Sequence, residues 1–336
     1  MKTLKKLTAL LLCAVLVLSF AACANKDNDS DLTKVVICLD YTPNTNHTGI
    51  FVAKAKGIFE KYGLDVEIQQ PGESSGVDLC AANKAQFSIG FQDILAAAYA
   101  GEKPLNVTAI AALVQHNTSG IISRKGEGMT SPKGLEGKTY STWDSPIEQA
   151  IIKQVMADDG ADFSKVKLIP NNITDEAGAL KEHLTDAVWI FYGWSGINAE
   201  MKNLPFDYFN FKDINPIFDY YTPVLVGNNE FMEENPEVTK AVLKSLKEGY
   251  EFAIENPEEA AQILVDEDTT GSLKDSLEFV TESQKWLSKQ YKAEVEQWGY
   301  IDAARWDGFY EWLWQQKLID RELPAGTGFT NEYLPE

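Results

Sequence analysis

Short apolar runs and amphipathic stretches alternate along this chain, with turn residues between them. Residues 35–39 (VVICL) are apolar and mostly β-branched, and turn formers bound them, which predicts a buried strand. Residues 40–46 are polar, and Pro43 with its neighbouring asparagines opposes continuation of strand or helix. Ile50, Phe51, Ala53, Ala55, Ile58, Phe59 and Tyr62 then fall near helical spacing, Gly63 stands at a C-cap position, and 65–68 opens the next strand. The rhythm continues through apolar 87–91, an Ala-rich helix over 94–100, apolar 107–114 and 120–123. A second series runs through a strand at 138–143, a helix at 145–158, a strand at 166–170, a helix at 176–183, a strand at 186–191 and a helix carrying Glu200 and Lys202. The chain returns through 220–226 to a helical block over 236–318. Repeated strand–helix alternation predicts parallel α/β sheets, and no repeat of fixed period stands out.

The first residues follow a different pattern. Lys2, Lys5 and Lys6 precede an apolar stretch at 7–18, too short for a comfortable membrane span. Phe20-Ala21-Ala22-Cys23 resembles a bacterial lipobox, with Phe20 in place of the usual aliphatic residue. The expectation is a signal peptide over 1–22, a lipid-modified Cys23 and a polar tether over 23–34. The alternative is an ordinary secretory peptide cleaved near Ala22. Of the four cysteines, Cys13 and Cys23 belong to this leader, while Cys38 and Cys80 sit in apolar contexts and read as core thiols, with a disulfide as the alternative. No CxxC occurs, and His47, His116 and His183 are too scattered for a zinc signature, so no metal or cofactor is expected.

Charge narrows the partners. The formal charge of −20 becomes about −23 once the three leader lysines are removed, which argues against nucleic acid and anionic membranes. Roughly 310 mature residues exceed what one core normally organises, so two lobes are expected. No GxSxG elbow or phosphate-binding P-loop is present. The polar turn at 72–77 has free N–H groups suited to an anion but reads as a plain connection. Trp286, Trp298, Trp306, Phe309, Tyr310, Trp312 and Trp314 crowd the last helices at core-like spacing, so core is preferred over a stacking platform.

Ligands of open α/β sheets bind beyond the carboxyl ends of strands, so polar and aromatic residues in those loops are the candidates. Asp40, Tyr41, Asn44 and His47 follow the first strand, and Gln92 and Asp93 follow 87–91. Gln115, His116 and Asn117 lie where the chain should cross between lobes. Ser141, Trp143, Tyr192 and Trp194 come from the second series. Helix capping is the competing role for Asn44 and Asp93, and hinge closure for Gln115 and Asn117.

The stretch LDYTPNTNHTG resembles the opening motif of the solute-binding proteins for thiamine-precursor pyrimidines and of the related eukaryotic pyrimidine synthases, which reads L-D-[WFY]-x-P-N-x-N-H-x-G. Leu39, Asp40, Tyr41, Pro43, Asn44, Asn46, His47 and Gly49 match it, and looser similarity covers nearly all of the mature chain. The resemblance implies an α/β, type II periplasmic-binding-protein fold, two α/β lobes around a ligand cleft. Lobe 1 is expected over 35–118, lobe 2 over 119–221, and the lobe 1 return with the C-terminal helices over 222–336. It also implies a non-enzymatic receptor of an ABC importer, anchored outside the cytoplasm by its lipid alone and working with permease and ATPase subunits. The ligand would be a 4-amino-2-methylpyrimidine, with riboflavin or an alkyl sulfonate as alternatives, and a synthase as the alternative from another class. The synthases carry a cysteine-rich iron-binding motif that is absent here. Ser195 stands where the pyrimidine binders commonly carry an acid after Tyr-Gly-Trp.

Overall fold

A computed structural model describes residues 32–335 apart from Asn172. The leader, Cys13 and Cys23 lie outside the described residues. Among the described residues, ten strands form two five-stranded sheets. The first contains β1 (Thr33–Cys38), β2 (Leu64–Gln69), β3 (Phe87–Gly90), β4 (Val107–Ala112) and β10 (Val224–Asn228), ordered β2-β1-β3-β10-β4. The second contains β5 (Ser119–Arg124), β6 (Thr139–Thr142), β7 (Lys167–Pro170), β8 (Ala187–Phe191) and β9 (Phe206–Asn210), ordered β7-β6-β8-β5-β9.

Both sheets follow one plan. β1 lies parallel to β2 and β3, as β6 lies parallel to β7 and β8. One antiparallel strand is then inserted in each, β10 between β3 and β4, and β5 between β8 and β9. The antiparallel strands are the ones entered from the other lobe. Val224 begins β10 opposite Gly90 and Ala112, and Ser119 begins β5 opposite Phe191. Both inter-lobe crossings, 113–118 and 211–223, therefore run along the carboxyl-terminal edges of the parallel strands. Hinge and loop candidates share that edge because of this register.

Predicted elements are present with small shifts, and two differ in kind. The helical pattern from Ile50 to Tyr62 is two helices, Thr48–Ala55 and Ile58–Lys61, because Gly57 between them takes φ +65°. Strand β9 was not expected, since FDYFN is short and only half-buried at an outer position. The terminal block resolves into helices Pro236–Glu255, Pro257–Asp266, Leu277–Leu287 and Ala303–Gln315.

Close helix contact explains one motif residue. A Cβ on Gly49 would come within 2.3 Å of the Tyr250 ring, and one on Gly249 within 2.1 Å of the Gly49 carbonyl. Tyr250 stacks on Trp298 at 4.6 Å and donates to Asn46 O at 2.6 Å, so the motif helix is clamped against the C-terminal block. Trp298, Trp306 and Phe309 are fully buried there, as core spacing predicts, while Trp314 remains exposed. Cys38 and Cys80 are buried free thiols, and burial pushes them up to about 11 and about 12.

Candidate functional site

A cavity of about 270 Å³ opens between the lobes at the carboxyl ends of β3, β6 and β8. Lobe 1 contributes Phe91, Asp93 and Ile94, lobe 2 contributes Trp143, Trp189 and Phe191, and the second crossing contributes Tyr220 and Thr222. Trp143 packs on Trp189 with ring centroids 5.5 Å apart, and Trp189 packs on Phe211 at 4.2 Å. Tyr220 stacks on Phe309 at 4.1 Å, which fixes that wall to the helix Ala303–Gln315. The aromatic walls are thus held by aromatic layers behind them.

Two carboxyl groups face this cavity, in opposite circumstances. Glu148, at the third position of the helix Pro146–Asp158, accepts from Tyr140 Oη at 2.5 Å, Thr142 Oγ1 at 2.8 Å and the Trp143 N–H at 3.1 Å. It also closes a capping box with Ser145, so its oxygens are spent on holding the loop that presents Trp143. Asp93, in the first turn of the helix Gln92–Ala100, has only the backbone N–H groups of Asp93 and Ile94 as partners. Half-buried in the cavity wall, its carboxyl is pushed up to about 6 by desolvation. Among the described residues lining the cavity there is no lysine, arginine or histidine.

The other candidates are placed differently. Gln92 donates to Trp306 O at 2.9 Å and accepts from the Tyr221 N–H at 2.8 Å, which ties helix, crossing and C-terminal block together. Asn117 donates to Phe218 O at 2.9 Å and accepts from the Ser119 N–H at 2.9 Å, linking the two crossings. Gln115 donates to Tyr300 O at 2.9 Å, and its Oε1 is buried without a partner. All three are fully buried, and their engaged atoms serve the frame of the hinge. His47 is buried, with Nε2 2.7 Å from Asp40 Oδ1, and Asn44 caps the turn Thr45–His47, so these three brace their own loop. Tyr41 is 59% exposed beside them.

That first loop meets lobe 2 through a serine. Thr45 Oγ1 and Ser283 Oγ are 2.7 Å apart, and Ser283 Oγ donates to Gly193 O at 2.5 Å. Trp194 packs edge-on to Phe279 at 4.5 Å, and Tyr192 packs on Trp286 at 5.2 Å. Tyr192 and Trp286 also border a second cavity of about 410 Å³, with Tyr208, Asn210 and Asp213 at the β9 edge. The acid of that cavity, Asp213, is already paired with Lys212 at 2.8 Å. The geometry therefore brings Asp93 and Trp143 into one cavity and places Tyr192 and Trp194 at the contact between lobe 2 and the helix Leu277–Leu287. Sequence reasoning missed Tyr220 and Trp189 as cavity walls. Tyr220 read only as part of the return of the chain through 220–226, with no ligand role attached to it.

Two lobes of this plan, joined by two crossings and enclosing a lined cleft, define the periplasmic-binding-protein fold. The fold is similar to that of the periplasmic aliphatic sulphonate binding protein SsuA from Escherichia coli, with a TM-score of 0.68 at 12% identity over 88% of this chain and 97% of that one. The chain belongs to the NMT1/THI5 like family, whose profile matches residues 44–260. Among relatives, the formylaminopyrimidine-binding protein of Halalkalibacterium halodurans is 28% identical over 98% of this chain and 99% of its own length. The 4-amino-5-hydroxymethyl-2-methylpyrimidine phosphate synthase THI13 of Saccharomyces cerevisiae is 23% identical over 90% of this chain and 88% of its own.

Proposed function

We propose that this protein is the extracytoplasmic receptor of an ABC importer and binds a thiamine-precursor aminopyrimidine between its lobes. The observation that carries the reading is the 270 Å³ cavity, walled by Trp143, Phe91 and Tyr220 and holding one acid without a side-chain partner. Small-ligand pockets run from roughly 300 to 1,000 Å³, so this one suits a single substituted ring. The tricyclic riboflavin demands more room. An alkyl sulfonate demands cations or free donors, where this wall offers Asp93 and Glu148. The full-length similarity to the formylaminopyrimidine-binding protein supports the same ligand class.

The synthase alternative is disfavoured by the thiols. The two cysteines beyond the leader are buried, and burial keeps them protonated, which suits neither metal ligation nor nucleophilic attack. Receptor action also implies lobe 1 over 35–118 and 222–336, lobe 2 over 119–221, and partners in a permease and an ATPase. Among the described residues no helix is long and apolar enough to cross a membrane. The leader pattern supports attachment through a lipid on Cys23. Thermal unfolding of the mature protein with 4-amino-5-hydroxymethyl-2-methylpyrimidine, its 5-formylaminomethyl analogue, riboflavin and taurine tests the ligand class, since a ligand of the native state raises the midpoint. Stabilisation by taurine or riboflavin alone would overturn the reading.

A further inference from the structure

We propose that Asp93 is the specificity-determining acid of the cleft and reads the ring-nitrogen and amine edge of an aminopyrimidine by sharing a single proton with it. The inference rests on the aminopyrimidine reading and goes further, to the residue and the protonation state that select the ligand.

The geometry leaves one carboxyl to do this. Glu148 is saturated by Tyr140, Thr142 and the Trp143 N–H and has no free oxygen for a ligand. Asp93 forms no ion pair among the described residues. The ionisable groups facing it are Tyr220 from the second crossing, Tyr310 from the helix Ala303–Gln315 and Glu148 across the cavity. None is a cation, so nothing in the protein neutralises an ionised Asp93 inside the cavity.

The ligand edge fixes the proton count. A 4-aminopyrimidine presents an amine N–H donor beside a ring-nitrogen lone pair. A bare carboxylate presents two acceptors, so one oxygen accepts from the amine while the other opposes the lone pair. One proton between that oxygen and the ring nitrogen turns the repulsion into a second hydrogen bond, giving a paired fork of the kind that makes carboxylate recognition strong. The proton comes from solvent when binding takes place above the pKa of both groups. Burial has already raised the Asp93 carboxyl to about 6, so protonation near neutral pH is cheaper than for an exposed aspartate. A ligand lacking either the amine or the ring nitrogen leaves one position of the fork unmatched.

Binding linked to one proton loses about tenfold in affinity per pH unit above the pKa of both groups. Titration calorimetry of the mature protein with 4-amino-5-hydroxymethyl-2-methylpyrimidine at pH 8, in two buffers of different ionisation enthalpy, measures the uptake. The wild type should take up about one proton per ligand bound. Asp93→Asn replaces the acid by an amide with one donor and one acceptor. That amide supplies both halves of the fork without a proton from solvent, so it should bind with uptake near zero and a flat pH profile. Its affinity relative to wild type should rise about tenfold per pH unit above the pKa of both groups. Asp93→Leu should lose at least about tenfold in affinity at pH 6, where the wild-type pair is easily protonated. Unfolding midpoints of both variants close to wild type would show that these are binding effects. Tight wild-type binding without uptake, or Asp93→Asn with wild-type uptake, would overturn the role of Asp93 while leaving the aminopyrimidine reading intact. Failure of the wild type to bind the pyrimidine at all would overturn the ligand reading itself.

Discussion

Replacing Trp143 with alanine separates ligand binding from stability more cleanly than any other change in the cleft. Its ring is 45% exposed and rests on Trp189, which in turn rests on Phe211. A fully buried Trp→Ala change costs about 3–5 kcal/mol, and a half-exposed ring with one aromatic neighbour forfeits much less, about 1–2 kcal/mol. The loop itself should persist, because Glu148 holds it through the Trp143 N–H and Thr142 Oγ1, and both groups survive the substitution. A midpoint drop of a few degrees is the expected consequence. Binding should suffer more relative to its total. Aromatic stacking on a heterocyclic base is worth about 1–3 kcal/mol, or about 5- to 150-fold in Kd. Titration calorimetry with 4-amino-5-hydroxymethyl-2-methylpyrimidine and scanning calorimetry on the same preparation give both quantities. If Trp143→Ala bound within twofold of wild type, the ring would not be a face of the site. A stability loss in the core range would mean that Trp143 supports the lobe and has no separate role.

The hinge carries a titrating group of its own. His116 lies 2.7 Å from Asp219 Oδ2 and 2.8 Å from Glu294 Oε2, and these hydrogen bonds, Asp219 first, raise its pKa above the ordinary imidazole value. A raised folded-state pKa contributes stability that is complete below about pH 6.5 and is lost as pH rises through the folded value. The wild type should therefore exceed His116→Gln in unfolding midpoint at pH 6, and the two should converge by pH 9; a gap that is constant or widens with pH would refute the pairing. For the anchor, Cys23→Ser should move the protein from the membrane fraction to the soluble one, and continued membrane association of that variant would exclude a lipid on Cys23.

The sheets were legible because their signal is period and punctuation. Apolar β-branched runs such as 35–39 and 107–114 had to be buried, and the alternating helices implied the parallel pairing that β1 makes with β2 and β3 and β6 makes with β7 and β8. The expectation of parallel sheets throughout is corrected by the antiparallel β10 and β5, which enter from the other lobe. Gly57 was less legible. A helical spacing that reads straight across 50–62 does not reveal that one glycine takes a positive φ and splits the helix. Gly49 was recognisable as a motif residue, but its reason is steric and lies about 200 positions away, where Tyr250 and Gly249 pack against it.

Site residues were harder to read, for a reason the hinge makes plain. In a two-lobed fold whose crossings run along the carboxyl edges of the strands, the loops that meet a ligand also join the lobes. Both tasks call for buried polar side chains at the same sequence positions. Gln92 and Asp93 are adjacent in sequence, yet Gln92 spends both ends of its amide on Trp306 and Tyr221, while Asp93 turns to the cavity without a side-chain partner. Helix phase separates them, because neighbours on a helix differ by about 100° in direction. Only the packing of the helix Gln92–Ala100 decides which of the two faces the C-terminal block and which faces the cleft. A strand-end polar pair therefore marks the edge of the cleft from sequence, and the member without a side-chain partner, the one proposed to meet the ligand, stands out only once every partner of the other has been counted.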